Sequence, residues 1–342
     1  MKIGIVNDSV MATEVLRRIV GSCPDHKLLW LAANGAEAVS RCQEALPDLV
    51  LMDLMMPVMD GVIATRRIMK NTPCAILIVT SSVTGNASMV FEAMGAGALD
   101  VVATPVLGHD GANTATNELL RKIELIGKLI GCSSKKTRPT RPQTGEVKPP
   151  SRRRDPTMIA IGASTGGPQA LTAVLSQFPV DFPAAVVIIQ HMDKKFTHGL
   201  ASWLNQQIAM PVKVIAEKER PYRGMVQVPS TDYHLILNNN GTLGYTVEPS
   251  DNFYHPSVDV FFQSLTKNWH GKIIGVLLTG MGRDGAAGLL SLKEEGHHTI
   301  AQDEETSIVY GMPKAARQLD AAKEILPLHE IGARIINLVG RK

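Results

Sequence analysis

Gly162-Ala163-Ser164-Thr165-Gly166-Gly167-Pro168 puts a serine directly after an apolar run, residues 158–163, and before a helix-like stretch. A side chain at such a strand-to-helix turn lies on the C-terminal edge of an α/β sheet, where open sheets of this kind bind ligands. The glycines allow close backbone approach, and the N–H groups and dipole of a helix start favour an oxyanion. The same serine could equally serve as a helix N-cap, so the loop alone leaves both roles open. It also spells the G-x-S-x-G elbow of α/β-hydrolases, which expects an acid and then a histidine later in the chain. The later histidines suit that order poorly. His297 and His298 open a strand, which puts them at the wrong sheet edge, and His329 lies at the start of the last helix.

His191 is better placed, because it follows the apolar residues 184–189 and Gln190, at the point where a strand leaves its sheet. A third strand, residues 272–279, runs into Gly280-Met281-Gly282-Arg283-Asp284-Gly285. By rote this is a dinucleotide-binding G-x-G-x-x-G, with Asp303 about 20 residues further on. A carboxylate inside a loop meant for pyrophosphate would repel it, so the competing reading is that Asp284 orients His191. Ser164, His191 and Asp284 would then come from three strand ends on one sheet edge, the arrangement a nucleophile–base–acid triad needs.

The elements that must carry these residues fall into two groups. Strands are predicted at 2–7, 28–33, 49–54, 75–80 and 99–104, alternating with helix-like stretches such as 36–46 and 62–70. Five βα units imply a parallel sheet covered on both faces. Residues 132–156 break the pattern: from 133 on they hold eight Lys or Arg, two acids and no apolar periodicity, and so cannot bury a core. As a flexible coil, such a stretch spans roughly 25–30 Å, enough for one domain to dock on the other. Alternation resumes with strands at 158–163, 184–190, 212–216, 272–279 and 299–302, and Asn239-Asn240-Gly241 marks a hairpin. The expected organisation is residues 1–131, a basic Pro-rich linker 132–156, and residues 157–342, in an α/β fold with a doubly wound, mainly parallel second sheet.

Composition excludes several classes. The 342 residues carry a net charge of +3, concentrated in the linker, so the charge says little about the domains. No helix-turn-helix pattern follows Arg152-Arg153-Arg154, which argues against a nucleic-acid partner. No apolar run is long enough to span a membrane, and Met1-Lys2-Ile3-Gly4-Ile5-Val6 reads as a first strand, not a signal peptide. Four scattered cysteines (Cys23, Cys42, Cys74, Cys132) fit a reducing cytoplasm rather than a disulfide or zinc framework.

The second half resembles the catalytic domain of the CheB family of chemotaxis methylesterases. The resemblance rests on the Gly162–Pro168 stretch, Gln190-His191-Met192, Pro256-Ser257-Val258-Asp259, Thr279-Gly280-Met281-Gly282-Arg283-Asp284-Gly285 and Gly311-Met312-Pro313. It implies a triad at Ser164, His191 and Asp284, with Thr165 and Met281 lining the active site. It also implies a γ-glutamyl methyl ester on chemoreceptor cytoplasmic helices as substrate, hydrolysed without a cofactor, and deamidation of receptor glutamines by some members.

The first half resembles a response-regulator receiver, a flavodoxin-like (βα)5 domain, through Asp8, Leu51-Met52-Asp53-Leu54-Met55-Met56-Pro57 and Thr80. That resemblance implies phosphorylation of Asp53 by a CheA-type histidine kinase, and Mg²⁺ held by Asp8, Asp53 and the carbonyl of Met55. Thr80 takes the switching role. Asn7 stands where a first acid is usual, Thr104 where a lysine precedes the proline, and Val101 where an aromatic switch residue is usual. The lost acid and lysine predict a weaker Mg²⁺ and phosphoryl site. The Asn7-Asp8 and Thr104-Pro105 variants are similar to CheB-type members of Wsp surface-sensing pathways, whose output is a diguanylate cyclase. Two other readings stay open here: a catalytically weak regulatory protein that binds receptor and kinase, and a dinucleotide-dependent enzyme built on Gly280–Gly285.

Overall fold

The computed structural model describes residues 1–81, 87–105, 110–131 and 157–340; the expected linker, 132–156, lies outside them. In the first half, β1 (Lys2–Val6), β2 (Lys27–Ala32), β3 (Leu49–Met52), β4 (Ala75–Thr80) and β5 (Asp100–Ala103) alternate with five helices. These are α1 (Val10–Gly21), α2 (Gly35–Glu44), α3 (Gly61–Asn71), α4 (Ala87–Gly95) and α5 (Asp110–Gly131). The strands pair in parallel in the order β2-β1-β3-β4-β5, the flavodoxin-like arrangement. β3 is buried along its whole length, as a parallel strand covered on both faces must be. Ser9, Asn34 and Asp60 cap the first three helices, each accepting an N–H three residues on.

The second half holds a seven-stranded sheet in the order β14-β13-β12-β6-β7-β9-β8, parallel at every pairing. Its strands are β6 (Thr157–Ala163), β7 (Ala185–Gln190), β8 (Val212–Val214), β9 (Met225–Val228), β12 (Lys272–Leu277), β13 (His298–Gln302) and β14 (Glu324–Leu326). β10 (His234–Leu237) and β11 (Leu243–Thr246) form the expected antiparallel hairpin. It turns through Asn240-Gly241, with Gly241 at φ 77°. The helices are α6 (Gly167–Leu175), α7 (Thr197–Gln207), α8 (Val258–Asn268), α9 (Ala286–Glu294), α10 (Met312–Gln318) and α11 (Leu328–Gly340). No helix among the described residues is long and apolar enough to cross a membrane.

Strand order fixes where a site can form. From β6 the chain moves to β7 on one side and later returns to β12 on the other. β6 is therefore the switch point, and the C-terminal ends of β7, β6 and β12 stand side by side around a crevice. β9 and β14 were not anticipated. They are four and three residues long, too short for an alternating pattern, and they exist because longer neighbours offer them a hydrogen-bonding edge.

The two halves are packed together. Phe91 of α4 stacks on Trp203 of α7, ring centroids 5.9 Å apart. The side chain of Gln169 donates to the Met94 carbonyl. The Gly166 N–H donates to the Leu99 carbonyl at 3.2 Å.

Candidate active site

Ser164 is the first residue beyond β6. The N-cap of α6 is Gly166, at φ 75°, with no side-chain capping bond. The serine hydroxyl is therefore not used for capping, and the structural role that the sequence left open falls away. Ser164 is held from both sides: its N–H donates to Thr279 O at 3.1 Å, and its carbonyl accepts from Gly167 N (2.7 Å) and Gln190 Nε2 (2.8 Å). Gln190 also donates to the His191 carbonyl, so it ties the ends of β6 and β7 together.

Gly280 explains its own identity. A Cβ there would lie 2.7 Å from Ser164 Cβ, 3.0 Å from Ser164 N and 2.4 Å from Met312 Sδ. The loop's other glycines are filled in the same way, Gly282 by the Tyr254 hydroxyl and Gly285 by Leu277 and Val258. The G-x-G-x-x-G spacing thus serves side-chain packing, and the space a pyrophosphate would need is occupied. The dinucleotide reading is not favoured.

His191 follows β7, and its N–H donates to Ala163 O at 3.0 Å. Its Nε2 meets Asp284 Oδ2 at 2.8 Å. Asp284, 5% exposed, sits at the N-terminus of α8. There it also accepts from the Ser257 hydroxyl (2.7 Å), Val258 N (2.6 Å) and Asp259 N (3.2 Å). Burial alone would raise the Asp284 carboxyl, but the bond and charge of His191, with Ser257 and Val258, hold it below the usual carboxylate range. The helix start adds a favourable dipole. A carboxylate held in the ionised form fixes Nε2 as the protonated nitrogen. Nδ1 is then the nitrogen with a free lone pair, and it is buried without a hydrogen-bond partner among the described residues. The neighbouring Asp259 carboxyl goes the other way, pushed up to about 6 by burial and by the charge of Asp284.

Ser164, His191, Thr165 and Met281 line one cavity of about 450 Å³. Its other wall comes from the first half, with Asp100, Arg121 and Lys122 among the lining residues. Asp100 Oδ2 accepts the Thr165 hydroxyl at 3.2 Å. Asp100 Oδ1 is paired with the buried Lys122 at 2.8 Å, and Lys122 also donates to Val101 O at 2.6 Å. The first half thus reaches to within one residue of Ser164. Sequence reasoning missed the parts played by Gln190, Ser257, Tyr254 and Asp100. Gln190 and Ser257 did lie inside the singled-out motifs, which was the available signal.

The other cluster gathers at the C-terminal edge of the first sheet. Asn7, Asp53 and Thr104 immediately follow β1, β3 and β5, and Thr80 ends β4. Asp53 Oδ1 accepts Leu54 N at 2.7 Å, and Oδ2 accepts Asn7 Nδ2 at 3.1 Å. Asn7 Oδ1 is taken by Ser9 N at 2.8 Å, which turns the amide donors toward Asp53. Burial pushes the Asp53 carboxyl up to about 6, with the Leu54 N–H pulling down and the charge of Asp8 adding to the rise. A buried carboxylate destabilised by the charge of a second acid is the kind of oxygen donor that suits a hard divalent cation. Asn7 contributes a donor where an acid would have contributed another negative ligand. Thr104 Oγ1 is buried and unpartnered among the described residues, so no charge stands at the lysine position.

Residues 159–335 match the CheB methylesterase family, and residues 3–110 match the response regulator receiver domain. The chain is 53% identical, over all of its length and 99% of the relative's, to a protein-glutamate methylesterase/protein-glutamine glutaminase of Mesorhizobium japonicum. It is 52% identical, over 98% of both chains, to the protein of that name from the group 3 operon of Pseudomonas putida. Among solved structures, the catalytic domain of Thermotoga maritima CheB methylesterase is similar with a TM-score of 0.51 at 35% identity, covering 54% of this chain and 99% of that one.

Proposed function

The chain belongs to the CheB methylesterase family, and on that premise we propose that it is a receiver-controlled protein-glutamate methylesterase whose nucleophile is Ser164. The observation that carries this reading is the His191–Asp284 pair, with one imidazole nitrogen held on a carboxylate and the other without a hydrogen-bond partner among the described residues, in a histidine that lines the same cavity as Ser164. In the proposed cycle, Ser164 Oγ attacks the γ-carbonyl carbon of a glutamyl methyl ester while His191 Nδ1 takes its proton. Backbone N–H groups of Thr165 and Met281 are assigned to the oxyanion, each worth about 3–4 kcal/mol by analogy with other such donors. The tetrahedral intermediate expels methoxide, which leaves as methanol with the proton from His191. Water then attacks the acyl-enzyme by the same proton route, giving a glutamate carboxylate and free serine. A glutamine side chain would follow the same path with ammonia leaving, which is the basis for proposing the glutaminase activity as well.

The substrate is proposed to be the cytoplasmic helices of a methylated chemoreceptor, and the site of action the cytoplasm. Residues 1–131 are taken as the receiver, 132–156 as linker and 157–342 as esterase. Asp53 is the proposed phosphoryl acceptor from a CheA-type histidine kinase, and Thr80 the proposed switch residue. Asp8, Asp53 and the Met55 carbonyl would hold Mg²⁺, whose role when bound is to neutralise phosphoryl oxygens. In the resting arrangement the receiver covers the cavity, with Asp100 on Thr165 and the Leu99 carbonyl on Gly166 N–H.

Methanol release from a methylated receptor, wild type against Ser164→Ala, tests the chemistry: the variant should release none, and equal rates would sink the mechanism. Removing residues 1–131 tests the regulation. Esterase activity should rise, and unchanged activity counts against a blocking receiver.

A further inference from the structure

Tyr254 lies between β11 and α8 and has no step in the proposed cycle. Its ring lies face-on against the His191 imidazole, with centroids 4.2 Å apart and planes 9° from parallel. The ring is itself held on two further sides. Phe253 meets it edge-on, at 5.0 Å and 88°. Its hydroxyl reaches the Met281 carbonyl at 3.5 Å and fills the space beside Gly282, where a Cβ would come within 2.5 Å of it. From the receiver, the Arg121 guanidinium sits over Phe253 at 4.4 Å and near the Tyr254 ring at 5.8 Å.

We propose that Tyr254 is a positioning residue for ester hydrolysis, whose ring fixes the plane of the His191 imidazole so that Nε2 stays on Asp284 and Nδ1 faces the nucleophile. This rests on the reading of His191 as the base. The bond from Nε2 to Asp284 pins one atom of the ring, but a single hydrogen bond is a pivot and does not define a plane. A flat surface 4.2 Å away supplies the missing constraint. The stack also favours the transition state. When Nδ1 takes the serine proton, the imidazole becomes a cation lying on an aromatic face, which the ring quadrupole attracts. Arg121 and Phe253 brace the outer side of the tyrosine, so the receiver touches the base through an aromatic stack as well as covering the cavity.

The test uses the full chain carrying Tyr254→Phe and Tyr254→Leu, with hydrolysis of a methylated receptor and ¹⁵N NMR of the His191 ring as readouts. Phenylalanine keeps the face and should hold kcat within about twofold, whereas leucine should lower it about tenfold or more with little change in KM. The His191 nitrogens should report the Nε2–H form in wild type and Tyr254→Phe, and a mixture of tautomers in Tyr254→Leu. Wild-type kcat and nitrogen shifts in the leucine variant would overturn the proposal, and so would a phenylalanine variant as damaged as leucine. Should the leucine protein fail to fold, Tyr254→Met is read by the same criteria. Ser164→Ala keeping full activity would strike the esterase reading instead, while the nitrogen spectra would still judge Tyr254.

Discussion

Asp284→Asn should separate catalysis from substrate binding. Both carboxylate oxygens of Asp284 face donors: His191 Nε2 and Val258 N on Oδ2, Ser257 Oγ and Asp259 N on Oδ1. An amide must turn its NH₂ toward one of these pairs. Toward His191, it forces Nε2 to accept and puts the proton on Nδ1, the wrong nitrogen for a base. Toward Ser257, the hydroxyl can reverse but the Asp259 N–H cannot, and the negative charge behind the imidazolium is lost in either case. Loss of the correct tautomer and of that charge in a comparable triad costs about 10⁴ in kcat, or roughly 5–6 kcal/mol of barrier. Two charge-assisted bonds weakened or opposed, at about 1.5–3 kcal/mol each, should lower folding stability by roughly 3–6 kcal/mol. Asp284 does not line the cavity, so KM should stay near wild type. Steady-state methanol release and urea denaturation of the same preparations measure these effects. A kcat within tenfold of wild type would refute the assignment of Asp284 as the group that orients the base.

Gly280→Ala drives a methyl group onto the Ser164 backbone at 3.0 Å and its Cβ at 2.7 Å. Displacing a nucleophile by about 1 Å costs on the order of 100-fold in rate. Gly21→Ala, with nothing near its added carbon, should be silent in the same assay. The Asp259 carboxyl, raised to about 6, gives a pH test. Its folded pKa lies above its unfolded value, so its contribution favours folding at low pH and is lost as pH rises from about 4 through about 6. Asp259→Asn mimics the protonated acid and should flatten this part of the profile, melting above wild type at pH 8 and level with it at pH 4. A variant that melts below wild type at pH 8 would count against the assignment.

The core strands were legible because parallel strands covered on both faces read as unbroken apolar runs, as residues 158–163 and 184–189 do. Their neighbour relations were not written locally. That β6 lies between β7 and β12 follows from how the chain crosses over, and only that order brings Ser164, His191 and Asp284 together. Ser164 itself was ambiguous because a serine after a strand suits a cap as well as a nucleophile. The decision came from Gly166, whose left-handed backbone starts the helix two residues later. Ser257 and Tyr254 were illegible in their roles because each acts through a contact distant in sequence, 27 residues to Asp284 and 63 to His191. The glycine loop misled because the same spacing that lets a backbone approach a phosphate also lets Ser164, Tyr254 and Val258 approach a backbone.

The pairing of Lys122 with Asp100 has a consequence for how the two halves part. Asp100 touches Thr165 with one oxygen and keeps its cation on the other, within its own half. The ion pairs of Asp100 and Lys122 stay in the first half, and that of His191 and Asp284 in the second. On separation Lys122 stays with Asp100, which exchanges a neutral hydroxyl for water. Thr165 adjoins Ser164, whereas Asp53 stands two strands away from Asp100 and two residues nearer the C-terminal edge of the first sheet. A closure held by aromatic area, hydrogen bonds to neutral partners and a guanidinium over an aromatic ring is a sum of modest terms, and so a balance between joined and parted states. A modest change in strand geometry at the distant carboxylate can tip such a balance, where a closure clamped by salt bridges would resist it.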